Sequence, residues 1–228
     1  MTAVNQIKIL EKEIEVQISA LVNIKGTLTI PSSAEAIVLF AHGSGSSRFS
    51  TRNRYVAEIL NNANIAALLI DLLIKEEEEI DLRTAEYRFD IDLLTSRVVY
   101  ATNWLRKNED TKKFNIGYFG ASTGAAAALA AAAKLGSFIG AVVSRGGRTD
   151  LADTYLPQVT APTLFIAGEN DPVIIDINQR SITKLSAEKK LEIVPGASHL
   201  FEEPGALEKV AAIASEWFSR YLIGQKEL

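Results

Sequence analysis

Residues 115–136 read NIGYFGASTGAAAALAAAAKLG, and the way this stretch folds decides the rest. Ile116 to Phe119 is a short continuous apolar run, as a strand buried on both faces of a parallel sheet would be. Alanines then continue for several helical turns. Lys134 and Gly136 mark a helix end, a cation in the last turn followed by a residue able to take positive φ. Between strand and helix stands Gly120-Ala121-Ser122-Thr123-Gly124. A tight strand-to-helix turn forces its central residue into a strained backbone conformation. Its flanks must be small, or strand and helix collide. The pattern G-x-S-x-G meets both needs and holds a hydroxyl out over the sheet. The plainer reading is a glycine-rich turn in which Ser122 only caps the helix.

The neighbouring sequence favours the first reading. Further apolar runs occur at Ile37 to Ala41, Ala66 to Ile70, Ile139 to Val143, Thr163 to Ala167 and, more weakly, Leu191 to Val194. Glu13 to Ile18 alternates polar and apolar residues, and Lys25 to Ile30, stopped by Pro31, looks like its hairpin partner. Helical spacing separates the later runs. Ile91, Leu94, Val98, Ala101 and Leu105 form one stripe, and Leu207, Val210, Ala211, Ala214, Trp217, Phe218 and Tyr221 another. Strands alternating with helices predict an α/β fold with right-handed crossovers and a mostly parallel sheet of about eight strands. No linker or repeat divides the chain, so residues 1–228 are expected to form one domain.

A serine needs a base, and the chain has only two histidines. His199 follows the last strand and His42 follows Ile37–Ala41, which puts both at the carboxyl edge of the sheet with Ser122. An orienting acid must lie there too. Asp171, in the loop after Thr163–Ala167, is the choice, with Glu169 as the neighbouring alternative and Asp176 opening the next helix. The order Ser122, Asp171, His199 is the one required of a triad on this architecture.

Composition narrows the field. Of 228 residues, 47% are hydrophobic and 23% charged, a globular balance. The net charge of -4 provides no positive field to attract nucleic acid or an anionic membrane. The absence of cysteine excludes disulfides, thiolate catalysis and cysteine-bound zinc. The start, MTAVNQIKILEKEIEV, carries charges where a signal peptide needs an apolar core. No stretch approaches the roughly 20 apolar residues of a membrane span. A soluble, cytoplasmic protein is expected.

Four segments, FAHGSGSS (40–47), GYFGASTGAAAAL (117–129), TLFIAGENDPV (163–173) and VPGASHLFEEPG (194–205), resemble α/β-hydrolases, and among them the dienelactone hydrolase-like group. They are spread from residue 37 to near the C-terminus. The resemblance implies Ser122 as nucleophile, Asp171 as acid and His199 as base. Dienelactone hydrolases in the strict sense have cysteine where this chain has Ser122, so ester hydrolysis is implied without the dienelactone substrate. In such folds the loop after Ile37–Ala41 and the residue after the nucleophile supply the oxyanion hole, which points to Ser44 and Thr123, with His42 bracing the loop.

Gly43-x-Gly45-x-x-Arg48, with Asp71 ending the next strand, comes near a dinucleotide fingerprint. Its third glycine is Arg48, and the acid lies too far along. Arg145 or Arg48 could fork a substrate carboxylate, although loop-bracing ion pairs would explain both. Phe49 and Phe201 are candidate pocket walls, and ordinary packing would explain either equally well. Glu76 to Glu79 reads as a solvated run in a loop. The stretch from Val143 to Thr163 is too short for a large lid, which leaves Leu72 to Tyr87 as the longest cover. The expected partner is a small ester-type substrate (lactone or thioester included), with no metal or organic cofactor. Homodimerisation is left open. The contrasting reading is a binding or regulatory module that kept this fold without turnover.

Overall fold

The six residues Ala36–Ala41 are all buried, and they show how the protein is layered. Ile37, Leu39 and Ala41 point into one apolar cluster. Ala36, Val38 and Phe40 point into another. A strand covered by helices on both faces has no solvent side, so its sequence is apolar throughout rather than alternating.

This is a computed structural model, and it describes residues 8–224. The first seven residues of the charged N-terminal stretch lie outside that range. Strands β1 (Ile9–Gln17) and β2 (Asn23–Pro31) form the expected hairpin. There follow β3 (Ala36–Ala41), α1 (Thr51–Asn62), β4 (Ile65–Ile70), α2 (Lys75–Thr84) and α3 (Ile91–Lys107). Residues 115–135 give β5 (Asn115–Ala121) and α4 (Thr123–Leu135) on either side of Ser122. The chain closes with β6 (Ile139–Arg145), β7 (Thr163–Gly168), α5 (Pro172–Ile182), β8 (Lys189–Val194) and α6 (Ala206–Phe218). The eight strands lie in the order β1-β2-β4-β3-β5-β6-β7-β8. β1/β2 and β2/β4 are antiparallel, and all other pairs are parallel. This is the α/β-hydrolase fold. Only short 3-10 turns lie between β6 and β7, where a large lid would interrupt the chain.

The helices α1 and α6 cover one face, with Val56, Leu60, Val210 and Trp217 against Phe40 and Phe119. On the other face α3 and α4 bring Leu94, Val98, Ala126 and Ala127 against Leu39 and Tyr118. Thr123 to Ala132 is buried without a break. Its small side chains let α4 lie between the sheet and α3. The edge strands carry charges, Glu11, Lys12, Glu13 and Glu15 on β1 and Lys189, Lys190 and Glu192 on β8, which discourages further strand pairing.

Two expectations need correction. Glu76–Glu79 is not a solvated loop but the first turns of α2, with Glu77 in contact with buried Arg97 at 2.6 Å. Acidic residues in a first turn suit the helix dipole. The stripe ending at Tyr221 is α-helical only to Phe218 and continues as a wider π turn, Ser219–Ile223.

The strand order reverses between β3 and β5, and ligands gather beyond the carboxyl ends at such a point. Ala41 pairs with Gly120 there, and Ala121 with Arg145. A Cβ on Gly124 would stand 2.3 Å from the carbonyl oxygens of both Ala41 and His42, and one on Gly120 would stand 2.4 Å from Ala125 Cα. Two backbones therefore meet where no side chain fits. Gly124→Ala is expected to lose about 1–3 kcal/mol of stability, read as a lower urea midpoint, because neither carbonyl can retreat without dragging β3.

His42 is buried and ties the loop after β3 to the loop after β4. Its Nε2 accepts the Leu72 N–H at 3.0 Å, which places the ring proton on Nδ1, facing the Gly43 carbonyl at 2.9 Å. Burial lowers its pKa, against the raising effects of the Gly43 carbonyl and of Asp71. Protonation would turn Nε2 into a donor facing another donor. The unfolded chain takes up this proton more readily than the folded one. The stabilisation is therefore complete above the unfolded value of about 6.5 and is lost as the pH falls below it toward the folded value. The melting temperature is expected to drop more steeply between pH 7 and pH 5 in the wild type than in His42→Gln. Parallel curves would assign the acid sensitivity elsewhere.

Candidate active site

Ser122 has φ 51 and ψ -120, a conformation that a residue with a side chain rarely adopts. Its backbone groups are fixed by the end of β6 and by the loop that follows it. Its N–H donates to the Arg145 carbonyl at 3.1 Å, and its carbonyl accepts the Arg148 N–H at 3.1 Å. Its hydroxyl makes no cap bond to α4, so the helix-cap reading of this serine does not describe it. The next residue, Thr123, is the first of α4, and its N–H has no carbonyl of its own helix to bond.

Asp171 lies three residues beyond the end of β7, and His199 five beyond the end of β8. His199 Nδ1 is 2.6 Å from Asp171 Oδ2. The other oxygen of the same carboxylate accepts the Ile174 N–H at 3.4 Å and caps α5. Asp171 is thus at once a turn former before proline and the imidazole's partner. Glu169, the alternative acid, is occupied elsewhere: it accepts the Gly196 N–H at 2.7 Å and fastens the loop that carries His199. Asp176 lies within α5, paired with Arg180 at an exposed site. A Cβ at Gly146 would come within 3.3 Å of the His199 ring, so the bare backbone there leaves the ring its place.

Ser122, His199, Gly43, Ser44 and Arg145 line one pocket of about 190 Å³. Beside it runs a cleft of about 560 Å³, bordered by Ser44, Thr123, Phe49 and residues of the β4–α2 loop. The Ser44 and Thr123 hydroxyls are 3.0 Å apart, which joins the two loops expected to hold an oxyanion.

The two candidate arginines differ. Arg48 is bonded to the Asp71 carboxylate and lies 3.2 Å from Glu13. Its charge is matched within the protein, and Asp71 is engaged rather than open to a ribose. Arg145 is 7% exposed and has no carboxylate partner among the described residues. Its Nε makes no hydrogen bond, and its guanidinium lies 5.7 Å from the centroid of the buried Phe201 ring. Burial, with Arg52 as a second cause, lowers its pKa to about 10, so it is still charged at neutral pH. Arg52, which the sequence did not single out, lines the same pocket and binds Glu202 at 2.9 Å. A single arginine in helical sequence gives no sign that the fold will place it here.

Among the described residues no helix is long and apolar enough to cross a membrane, and no cluster of three or more His, Cys, Asp or Glu could hold a metal.

Known proteins share this arrangement of strands and loops. A solved dienelactone hydrolase from Anabaena variabilis is 58% identical, with a TM-score of 0.91 over 94% of this chain and 99% of that one. Est1E from Butyrivibrio proteoclasticus shares the fold at 14% identity, with a TM-score of 0.75 over 90% of this chain and 97% of that one. A Pyrococcus furiosus esterase does so at 18% identity, with a TM-score of 0.74 over 93% and 92%. Proteins from two strains of Mycobacterium tuberculosis, provisionally named phosphoribosyl transferases, are 51% identical over 214 residues. That match takes in 94% of this chain but 47% of theirs, so the chain spans about half the length of these curated relatives. The dienelactone hydrolase family matches residues 24–222, and the chain belongs to that family.

Proposed function

We propose that this protein is a serine hydrolase that cleaves a carboxylic ester through an acyl-enzyme. The observation that carries this reading is Ser122, held at positive φ in the same small pocket as His199, whose other ring nitrogen faces Asp171 at 2.6 Å.

The chemistry follows from those positions. His199 Nε2 takes the proton as Ser122 Oγ bonds the acyl carbon. Asp171 holds the imidazole in the tautomer that makes this possible and stabilises the imidazolium. The carbonyl oxygen becomes an oxyanion, taken up by the backbone N–H groups of Ser44 and Thr123. One such donor is worth about 3–4 kcal/mol of transition-state stabilisation. The carbon–oxygen bond to the alcohol then breaks, and the proton on Nε2 leaves with the alcohol. Water, deprotonated by the same nitrogen, attacks the acyl-enzyme and releases the acid. Lactones and thioesters can enter the same sequence.

The phosphoribosyl transferase name belongs to proteins about twice as long. In this chain, the elbow at Ser122 and the imidazole of His199 support acyl transfer to water.

A fluorophosphonate probe is expected to label the wild type at Ser122 and to leave Ser122→Ala unlabelled, as read by peptide mass spectrometry. A wild type that stays unlabelled while a control esterase reacts would favour a binding module on the same fold. Asp171→Asn is expected to fold and to lose about ten-thousand-fold in kcat on short acyl esters, by analogy with the same change in a serine protease triad. Full activity in that variant would show that the carboxylate has no catalytic part.

A further inference from the structure

The oxyanion loop is a ridge between two unlike spaces. Gly43, Ser44 and Ser46 border both the 190 Å³ pocket and the 560 Å³ cleft, whereas His199 borders only the pocket. An ester bound over Ser122 has two arms, and the chemistry decides which goes where. The alcohol oxygen must receive its proton from His199, so the alcohol arm lies in the small pocket. The acyl arm passes across Ser44 into the larger cleft.

The walls of the two spaces differ in charge as well as size. The cleft presents Leu72, Leu73, Ile74 and Leu94, with Phe49 and Leu82 exposed at its rim. Its arginines are matched inside the protein, Arg48 by Asp71 and Arg88 by Asp81 at 2.9 Å, and its other charged residues, Lys25, Lys75, Glu76 and Glu78, are solvent-exposed side chains of both signs. The small pocket holds Arg145, buried, charged and without an acidic partner among the described residues, with Arg52 beside it only partly neutralised by exposed Glu202. A buried guanidinium left unpaired is unfavourable, and an anion with two acceptor oxygens is the group that its planar fork fits.

We infer that the preferred substrates are esters of an anionic alcohol, carrying a carboxylate or phosphate held by Arg145 and Arg52, with an apolar acyl chain in the larger cleft. This rests on the hydrolase reading and adds the polarity of the substrate to it. In the acylation step Ser122 Oγ bonds the acyl carbon. The carbon–oxygen bond to the alcohol breaks, and the serine proton leaves on the alcohol oxygen through His199. The anion itself is unchanged.

The test compares kcat/KM of the wild type on four hexanoyl-length esters. Carboxymethyl hexanoate and 2-phosphoethyl hexanoate carry the charge on the alcohol arm, as carboxylate and as phosphate. Monoethyl adipate carries it on the acyl arm, and ethyl hexanoate carries none. At least one alcohol-side anion is expected to exceed ethyl hexanoate by tenfold or more, and the better of the two identifies the anion. Monoethyl adipate is expected to show no such gain. Arg145→Gln should bring the ratio of anionic to neutral ester toward one, and Arg145→Lys should keep part of it. Fluorophosphonate labelling of each variant checks that the fold is intact, and the wild-type comparison stands without them. Equal rates on charged and neutral esters, or a preference for monoethyl adipate, would overturn the inference while leaving the hydrolase reading in place. Failure to cleave any ester, together with no labelling of Ser122, would remove both.

Discussion

The active edge depends on Ser122 being held where a serine does not rest by preference. A non-glycine residue in such a backbone region carries about 1–3 kcal/mol of strain and persists only when its surroundings over-determine it. Here they do. The missing Cβ at Gly124 lets the first turn of α4 come up under the Ala41 and His42 carbonyls. The end of β6 and the loop after it take the two backbone groups of Ser122. The strain is thus supported by strand pairing in the middle of the sheet, where β3, β5 and β6 are hydrogen-bonded side by side. The same contacts that force the dihedral turn the hydroxyl away from helix capping and toward the pocket.

Around that point, several polar side chains each fasten a loop through defined partners. Asp171 divides its two oxygens between a helix cap and an imidazole. Glu169 holds the loop of that imidazole. His42 is kept neutral by burial and joins two loops through opposite ring nitrogens. Each of these bonds fixes a loop rather than adding stability alone. The proposed triad, drawn from three separate loops, needs that, because an error of about 1 Å in placement is costly to catalysis. Arg145 differs from them, buried with no acid partner among the described residues, and it lines the same pocket as Ser122.

Much of this could be read in the sequence because burial on both faces writes itself into composition. The runs IVLFA, AALLI and TLFIA had no polar alternative to conceal them, and the loops that follow them could be placed at one edge by topology alone. The placement of Ser122, Asp171 and His199 at that edge was legible for that reason. The fate of the charges was not. Arg48 and Arg145 look alike in sequence, each following a strand and each near a glycine. One finds Asp71 and Glu13, and the other finds no acid among the described residues. That difference depends on which side chains converge from β1 and β4, a tertiary fact without a local signature. The glutamate run misled for a related reason. Four like charges suggest solvent until a buried arginine from a helix twenty residues away meets one of them.

That glutamate also explains how a fold without a large lid bounds its cleft. Glu77 accepts the Ile74 N–H at the start of α2 with one oxygen and binds Arg97 of α3 with the other. Farther along α2, Asp81 is buried and receives Arg88 together with the Tyr87 and Arg88 N–H groups. Removing one partner from such a pair leaves an uncompensated charge, typically costing about 3–5 kcal/mol where the pair is fully buried, so the two pairs specify where α2 sits. The wall of the larger cleft is therefore fixed before a substrate arrives. Selection by such a site comes from what fits and what charge is matched, and closure over the substrate is not required for it.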